Sequence, residues 1–332
     1  MTINATSIGK KLDGIGRFSL LIAKHFIGKR EIVINEKAKI HFSEDELREL
    51  KIIPASYSPD FGFRGHLKRL IYTNFIKTPL FNLSQLQVNF FNPNQIVVVH
   101  DIIPLLFPEF HKKQYHYFKY ILPYALKKVK KIIVVSNHTK ELLIKHYNLD
   151  EKKIKVIYNG IVLPEFKKVK KENFILYVGR DSPTKNLELL VDAFNELDLK
   201  YYKLYLVGVD REFKNKNIKS LGYVEDEELD MLYRRAKIFV LPSLYEGFGY
   251  PVIEAMARKT AVIASNVSSL PEIGGDGAIY FDPYNKEELK EKIKFLIENE
   301  DKRKELEEIG FRRSQDFSIE KMLKQYEKLL EE

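Results

Sequence analysis

Two glutamates, Glu246 and Glu254, have the spacing that predicts chemistry most directly in this chain. They stand eight positions apart, and a turn with two glycines lies between them. Pro251 occupies the position where a helix would begin, because proline is favoured in the first helical turn. The free N–H groups at such a helix start attract an anion. An anion site flanked by two carboxylates suits a ligand with phosphates at one end and hydroxyls at the other, such as a nucleotide-sugar.

Two cations lie upstream of the glutamates, and their positions indicate a partner for such phosphates. Arg180 ends a strand-plus-glycine unit, and Lys185 follows five residues later, just before a helix pattern. We expect both side chains to face the crevice of the two glutamates, where they would neutralise a diphosphate as its sugar departs. No acidic cluster stands at a strand end, so the chain is expected to work without a metal or cofactor.

His100 and Asp101 directly follow the apolar run Gln95–Val99. A polar pair at the end of a buried strand is expected to open onto a cleft between two domains. The alternative for His100 is a buried structural histidine with satisfied hydrogen bonds. Asp101 would either orient the imidazole or cap the following segment.

Short apolar runs alternate with helical patterns along the chain, which is typical of parallel sheets covered by helices. We therefore predict an α/β protein with two Rossmann-like, doubly wound domains. The predicted strands are Gln95–Val99, Lys131–Val135, Phe174–Val178, Lys203–Val207, Ile238–Leu241 and Ala261–Ala264. The predicted helices are Gln114–Val129, Leu187–Leu197 with Asn186 as its cap, Glu225–Arg235, and a last helix from a Ser318 cap to Glu332.

The 332 residues exceed a single core, so two domains are expected. We predict an N-terminal domain over 1–162, a polar linker over 163–173, and a second domain over 174–314. The last segment, 315–332, is expected to pack back toward the first domain. The absence of cysteine, of a signal-peptide pattern and of any run of 18 apolar residues favours a cytoplasmic protein. Abundant Lys and Glu with no Trp hints at a thermophile.

The net charge of +9 is unevenly distributed. Residues 1–165 hold 26 Lys and Arg against 14 Asp and Glu, whereas the remainder holds 29 against 32. The basic half is expected either to meet an anionic membrane surface or lipid carrier, or simply to be a solvated lysine-rich surface. Within it, the segment 107–131 interleaves aromatic residues with lysines. That segment is either an interfacial or acceptor-facing surface, or a core helix with a solvated lysine face.

The order and spacing of these motifs resemble the retaining glycosyltransferases of family 4, whose two-Rossmann-domain architecture is called GT-B. The resemblance covers about 1–330 and is faintest between Ile27 and Asn94. It rests on the glutamate segment 241–257 and on further short motifs: Gly14–Phe18, His100–Pro104, Val134–Ser136, Asn159–Gly160, Tyr177–Arg180, Lys185–Asn186, Gly222–Val224, Pro242–Ser243, Leu270–Glu272 and Asp282–Pro283. Arg258, Lys259 and Ala261 depart from the family pattern.

The resemblance assigns acceptor binding to the N-terminal domain, nucleotide-sugar binding to the domain over 174–314, and roles to individual residues. It implies that Glu254 accepts hydrogen bonds from the donor ribose and that Glu246 and His100 contact the transferred sugar. In such enzymes the leaving phosphate takes the acceptor proton, so His100 is expected to position and polarise the sugar and is assigned no general-base role. It places Arg180 and Lys185 on the diphosphate. The remaining implied donor contacts are the glycine loop Gly14 and Gly16, the base-contacting Tyr223 and Val224, and the close-approaching backbone of Gly247, Phe248 and Gly249. Asp101 and Arg17 are expected on the acceptor side.

The function predicted from the sequence is therefore retaining, metal-independent transfer of a hexose from a nucleoside-diphosphate sugar. GDP-mannose and UDP-glucose are the expected donors, and a saccharide or lipid-linked saccharide of cell-surface polysaccharide is the expected acceptor. The enzyme would be cytoplasmic, with peripheral contact at the inner membrane face. Two alternatives stay open: a glycogen-synthase or phosphorylase type of the same architecture, and a polyanion-binding protein. No nucleic-acid-binding pattern supports the second alternative.

Overall fold

The computed structural model describes residues 1–10, 12–54, 56, 63–165, 167 and 169–331. The chain divides into two compact units, one of Met1–Tyr158 with Leu323–Glu332 and the other of Asn159–Met322. Each unit is built on a parallel sheet with accompanying helices, so the predicted α/β class with two doubly wound domains is confirmed. The predicted linker 163–173 includes Phe166 and Lys168, which lie outside the described residues, and its bounds stay a prediction.

The first unit contains a seven-stranded sheet in the order β3-β2-β1-β4-β5-β6-β7. Its short strands are almost wholly buried, and valine and isoleucine predominate in them because branched side chains pack well on a pleated surface. The strand order reverses between β1 and β4. The strands are β1 Thr2–Asn4, β2 Ile32–Ile34, β3 Leu50–Ile52, β4 Leu80–Asn82, β5 Gln95–Val99, β6 Lys131–Val134 and β7 Ile154–Val156.

The helices of the first unit are α1 Gly14–Phe26, α2 Glu44–Arg48, α3 Phe63–Phe75, α4 Ile103–Leu106, α5 Lys112–His116, α6 Leu122–Lys128 and α7 Asn137–Tyr147. The helix predicted over Gln114–Val129 is present, but a π-helical turn at Tyr117–Ile121 joins α5 to α6. Phe118 and Leu122 are buried in the core, whereas Tyr120 and Tyr124 are exposed. The inward residues fit the core-helix alternative for this segment.

The second unit contains a six-stranded sheet in the order β10-β9-β8-β11-β12-β13, and this order reverses between β8 and β11. Its strands are β8 Glu172–Val178, β9 Lys203–Val207, β10 Ile218–Gly222, β11 Ala236–Leu241, β12 Ala261–Ser265 and β13 Ala278–Phe281. Its helices are α8 Leu187–Glu196, α9 Asp226–Arg235, α10 Tyr250–Ala257, α11 Leu270–Gly274, α12 Lys286–Glu298 and α13 Glu300–Ser314. The last helix, α14 Ile319–Glu331, begins in this unit and ends in the first.

One local prediction about a helix start is confirmed only in position, and another is wrong. Asn186 is the N-cap residue of α8, but its side chain makes no capping hydrogen bond; it adopts a left-handed conformation with φ 53°, and its amide donates to the Pro283 carbonyl over 2.8 Å. Gly14 and Gly16 do not form a loop before α1 but lie in its first turn, where Asp13 Oδ1 caps the Gly16 N–H over 2.8 Å. The Ser318 cap is confirmed, because its hydroxyl accepts from the Lys321 N–H.

Candidate active site

The residues predicted to bind phosphate and sugar follow two neighbouring strands of the second unit. Arg180 comes just after β8, and the segment 242–249 comes just after β11. Both strands are parallel, so their carboxyl ends meet at one edge of the sheet. The strand order reverses between these two strands, and ligands of open α/β sheets bind in the crevice at such a reversal. The sheet topology therefore brings the predicted motifs together.

Glu246 is held at this edge by a set of hydrogen bonds that sequence reasoning missed. Its Oε1 accepts from Lys185 Nζ over 2.5 Å and from the Ser243 hydroxyl over 2.7 Å. Its backbone N–H donates to the Ser268 hydroxyl over 2.9 Å, and Ser269 Oγ donates to the Glu246 carbonyl. The carboxylate is thereby fixed in a single orientation.

Lys185 and Glu246 form an ion pair that is mostly removed from solvent, with side-chain exposures of 20% and 12%. A pair in such surroundings is tolerated only when further hydrogen bonds satisfy the charged atoms, and Ser243 supplies one of them. The ammonium group has three donors, of which the pair uses one. Lys185 can therefore hold Glu246 and still donate to an anion.

Arg180 is exposed at the carboxyl end of β8. The Tyr177 hydroxyl donates to the Arg180 carbonyl over 3.1 Å, which fixes the backbone of the turn that carries this cation. Gly179 is required beside it, since an added Cβ would stand 2.7 Å from the Tyr177 hydroxyl. The turn therefore presents a solvent-accessible guanidinium at the same sheet edge as the glutamates.

The turn between the two glutamates requires glycine. Gly249 has φ +102°, a region that L-residues rarely adopt, and an added Cβ would stand 2.8 Å from Leu270 Cδ2. It begins α10 without a side-chain cap. Phe248 is buried against Tyr250 and Phe317, so only its backbone and that of Gly247 can approach a ligand. The absence of a side-chain cap at this helix start agrees with the predicted anion site.

Glu254 lies about one turn inside α10, and it has a partner that the sequence did not indicate. The buried Tyr233 of α9 donates its hydroxyl to Glu254 Oε2 over 2.9 Å. Burial raises the pKa of Tyr233 well above its usual value, and the negative Glu254 adds to this, so the phenol stays a donor. Oε1 and the remaining lone pair of Oε2 stay available to vicinal hydroxyls.

Arg258, noted as a departure from the family pattern, supports the same arrangement. Its Nη1 donates to the Glu254 carbonyl over 3.0 Å, and its guanidinium stands 5.4 Å from the Tyr233 ring centre. Asp230 accepts from Arg258 over 2.8 Å and from Arg234 over 2.6 Å. The spacing of Arg258 from Glu254, one helical turn, is the one signal in the sequence that pointed to this contact.

His100 is a buried, neutral imidazole in the first unit. Its Nε2 donates to the Leu83 carbonyl over 2.9 Å, and its ring meets Phe18 edge-on at 4.9 Å. Burial lowers its pKa to about 4. Its Nδ1 is then an acceptor at neutral pH. This agrees with assigning no acid–base role to His100; its contact with the transferred sugar stays a prediction.

The other predicted positions are placed as follows. Asp101 Oδ1 accepts from the Ile103 N–H over 3.0 Å, which is the capping alternative. Arg17 is exposed on the first turns of α1. Tyr223, which follows the left-handed Gly222, is 75% exposed, whereas the side chain of Val224 is buried in the core. Tyr223 can therefore present its ring to a base, while Val224 offers only its backbone.

The described residues form neither a cluster of metal ligands nor a membrane-spanning helix. No group of three or more His, Cys, Asp or Glu in this part of the chain is placed to hold a metal ion. No helix there combines the length and the apolar character needed to cross a membrane.

Comparison with known proteins identifies the family. The family model "Glycosyltransferase Family 4" matches residues 48–163, and "Glycosyl transferases group 1" matches 162–313. The chain is 36% identical to the O-antigen chain mannosyltransferase RfbU of Salmonella typhimurium over 60% of each protein. It is 26% identical to O-antigen chain mannosyltransferase B of Escherichia coli over 93% of each.

Solved structures show the same fold. The sucrose-phosphate synthase of Thermosynechococcus elongatus matches with a TM-score of 0.77 and 20% identity over 99% of this chain and 98% of that one. Alr3699/HepE of Anabaena, in complex with UDP and glucose, matches with a TM-score of 0.78 and 18% identity over the same shares. The family matches, the mannosyltransferase relatives and the two doubly wound sheets agree. The chain belongs to the GT-B glycosyltransferases of the family 4 type.

Proposed function

We propose that this enzyme transfers mannose or glucose, with retention and without a metal, from a nucleoside-diphosphate sugar to a saccharide or lipid-linked saccharide. The observation that carries the proposal is the oriented Lys185–Glu246 pair at the sheet reversal of the second unit. It sets a fixed cation beside a fixed carboxylate. That arrangement suits a ligand in which a diphosphate is joined directly to a hydroxyl-bearing sugar.

Each group has a role in the proposed reaction. Lys185 and Arg180 offset the charge that grows on the diphosphate as the bond from the anomeric carbon to phosphate oxygen breaks. Glu246 accepts hydrogen bonds from sugar hydroxyls and so orients the anomeric carbon. The acceptor oxygen bonds to that carbon on the face that the phosphate leaves, and its proton passes to the departing phosphate oxygen. Glu254, steadied by Tyr233, binds the ribose diol.

The relatives narrow the choice of donor and acceptor to be tested. Two related enzymes are named O-antigen chain mannosyltransferases, which favours a mannosyl donor and a surface-polysaccharide acceptor. The structural neighbour from Anabaena is complexed with UDP and glucose, which keeps UDP-glucose as the other candidate. GDP-mannose and UDP-glucose are therefore the two donors to test first.

Peripheral contact with an anionic membrane remains part of the proposal. Tyr120 and Tyr124 are 61% and 57% exposed, and Lys128 Nζ lies 4.0 Å from the Tyr124 ring centre. Aromatic rings beside lysines suit the interface of a negatively charged bilayer. Sedimentation with phosphatidylglycerol vesicles, but not with phosphatidylcholine vesicles, is the expected result, and loss of that binding on replacing Tyr120 and Tyr124 with serine would support it.

Donor binding and turnover test the central proposal. A thermal-shift screen should show stabilisation by one of GDP-mannose or UDP-glucose, since a ligand at 100 times its Kd adds about 2.7 kcal/mol. Glu254→Ala should weaken that binding, while Glu227→Ala on the exposed start of α9 should not. Transfer that is unaffected by Glu254→Ala and Lys185→Ala would overturn the site. Sugar release that requires free phosphate would instead indicate the phosphorylase alternative.

A further inference from the structure

The first unit has a cavity of about 740 Å³ at its own sheet reversal. Ser7, which follows β1, and Ser84, which follows β4, both line it. The carboxyl ends of these two adjacent parallel strands form the crevice where open α/β sheets bind ligands. The topology therefore indicates a ligand site in this unit.

Arg69 of α3 is the charged side chain set deepest in this cavity. Its Nε is buried and has no hydrogen-bond partner among the residues that the structure describes. Burial lowers the pKa of this guanidinium, and the negative charge of Asp13 opposes the effect. Asp13 Oδ1 already accepts from the Gly16 N–H, so that oxygen is partly used. A partly buried cation whose Nε is buried and unsatisfied favours an anionic ligand.

The rest of the lining fits a sugar. Gln87 donates its amide to Thr6 Oγ1 over 2.8 Å, which leaves its buried Oε1 as an acceptor without a partner in the described part of the chain. A sugar hydroxyl would satisfy that acceptor. Phe110, 47% exposed at the cavity, offers an apolar face to a pyranose ring. The exposed Lys112 and Lys113 also line the cavity, and their two positive charges exceed the single negative charge of Glu109 beside them.

We propose that this cavity binds an acidic sugar of the acceptor, a saccharide carrying a phosphate or carboxylate, with Arg69 as its anchor. The inference rests on the proposed function, since it names the acceptor class of a sugar transferase. A guanidinium can donate two parallel hydrogen bonds to either anion, and an ammonium cannot. Arg69 then selects acidic over neutral acceptors.

Binding to the full chain, followed by ligand-observed NMR, tests the proposal with three probes: methyl β-D-glucuronide, glucose 6-phosphate and neutral methyl β-D-glucoside. An excess of the nucleoside diphosphate of the donor that the thermal-shift screen identifies is added, so that it occupies the second unit and the probes do not bind there. Of the two acidic probes, the one that carries the same anionic group as the natural acceptor should bind at least ten-fold more tightly than the neutral glucoside. Arg69→Gln should abolish this preference, and Arg69→Lys should retain part of it. Arg64→Gln, at an exposed position of the same helix, should leave it unchanged.

Thermal unfolding of the same variants separates a ligand anchor from a structural ion pair. Without ligand, Arg69→Gln should unfold at a temperature close to that of the wild type, because the buried charge lacks a full set of partners. A marked loss of stability with no change in sugar preference would make Arg69 a counter-ion of Asp13 and overturn the proposal. Equal binding of acidic and neutral sugars by the wild type, or binding of none, would overturn it as well. Glu254→Ala tests the donor site independently, since it should weaken nucleoside-diphosphate binding and leave the preference for acidic sugars intact.

Discussion

The buried imidazole of His100 should make the protein acid-sensitive in a defined pH window. The unfolded chain has an ordinary histidine pKa near 6.5, whereas burial lowers the folded pKa to about 4. Above pH 6.5 both states are neutral and His100 adds no pH dependence. As the pH falls from 6.5 to 4, only the unfolded state takes up the proton, so stability falls. The full difference corresponds to about 3 kcal/mol, and about 2.5 kcal/mol is lost by pH 4.5.

Urea unfolding of the wild type and of His100→Gln at pH 7.0, 5.5 and 4.5 measures this effect. The variant lacks the titrating group, so its stability relative to the wild type should rise by about 2.5 kcal/mol between pH 7.0 and 4.5. His146→Gln, at an exposed position of α7, should show no such trend. A constant difference, or an NMR titration of the His100 ring near pH 6.5, would show that the ring is solvated and refute the reasoning.

Three further predictions concern the second unit. Tyr233→Phe removes a hydrogen bond to the Glu254 carboxylate and should weaken nucleoside-diphosphate binding about ten-fold. A 2′,3′-dideoxy analogue, which lacks the ribose diol, should bind the wild type and the variant equally. A difference with this analogue would show that Tyr233 does not act through Glu254. Lys185→Met should lower the free energy of unfolding by about 3 kcal/mol, because it leaves the Glu246 carboxylate mostly buried without a counter-ion. Adding Glu246→Gln to the same chain should recover most of that loss, as measured by calorimetry. Burial lowers the pKa of Lys171 to about 8. Between pH 8 and 10.5 the unfolded state therefore binds more protons than the folded state, so the charged lysine destabilises the fold below pH 8. Lys171→Met should be more stable than the wild type by up to about 3 kcal/mol at pH 7 in urea unfolding, and the difference should vanish by pH 10.5.

The hydrophobic pattern of the sequence determined most of the second sheet. Lys203–Val207 in that sheet, like Gln95–Val99 in the first, is a strand with the predicted bounds, because a mainly apolar run between turn residues has few other stable arrangements. The sequence did not predict local conformations that depend on contacts with other parts of the fold. Asn186 was expected to cap α8, but the Pro283 carbonyl takes its amide instead. The π turn at Tyr117–Ile121 likewise has no counterpart in the spacing of apolar residues.

The sequence by itself determined which residue types stand at the site. Glu246, Glu254 and Arg180 belong to local motifs, and the turn and helix of each motif can be recognised from residues nearby in sequence. Only the tertiary structure decided their partners. Lys185 pairs with Glu246 across 61 positions of sequence, and Tyr233 reaches Glu254 across 21. Such pairs arise because parallel strands distant in sequence become neighbours in a sheet, and the order of those strands follows from how the whole core packs.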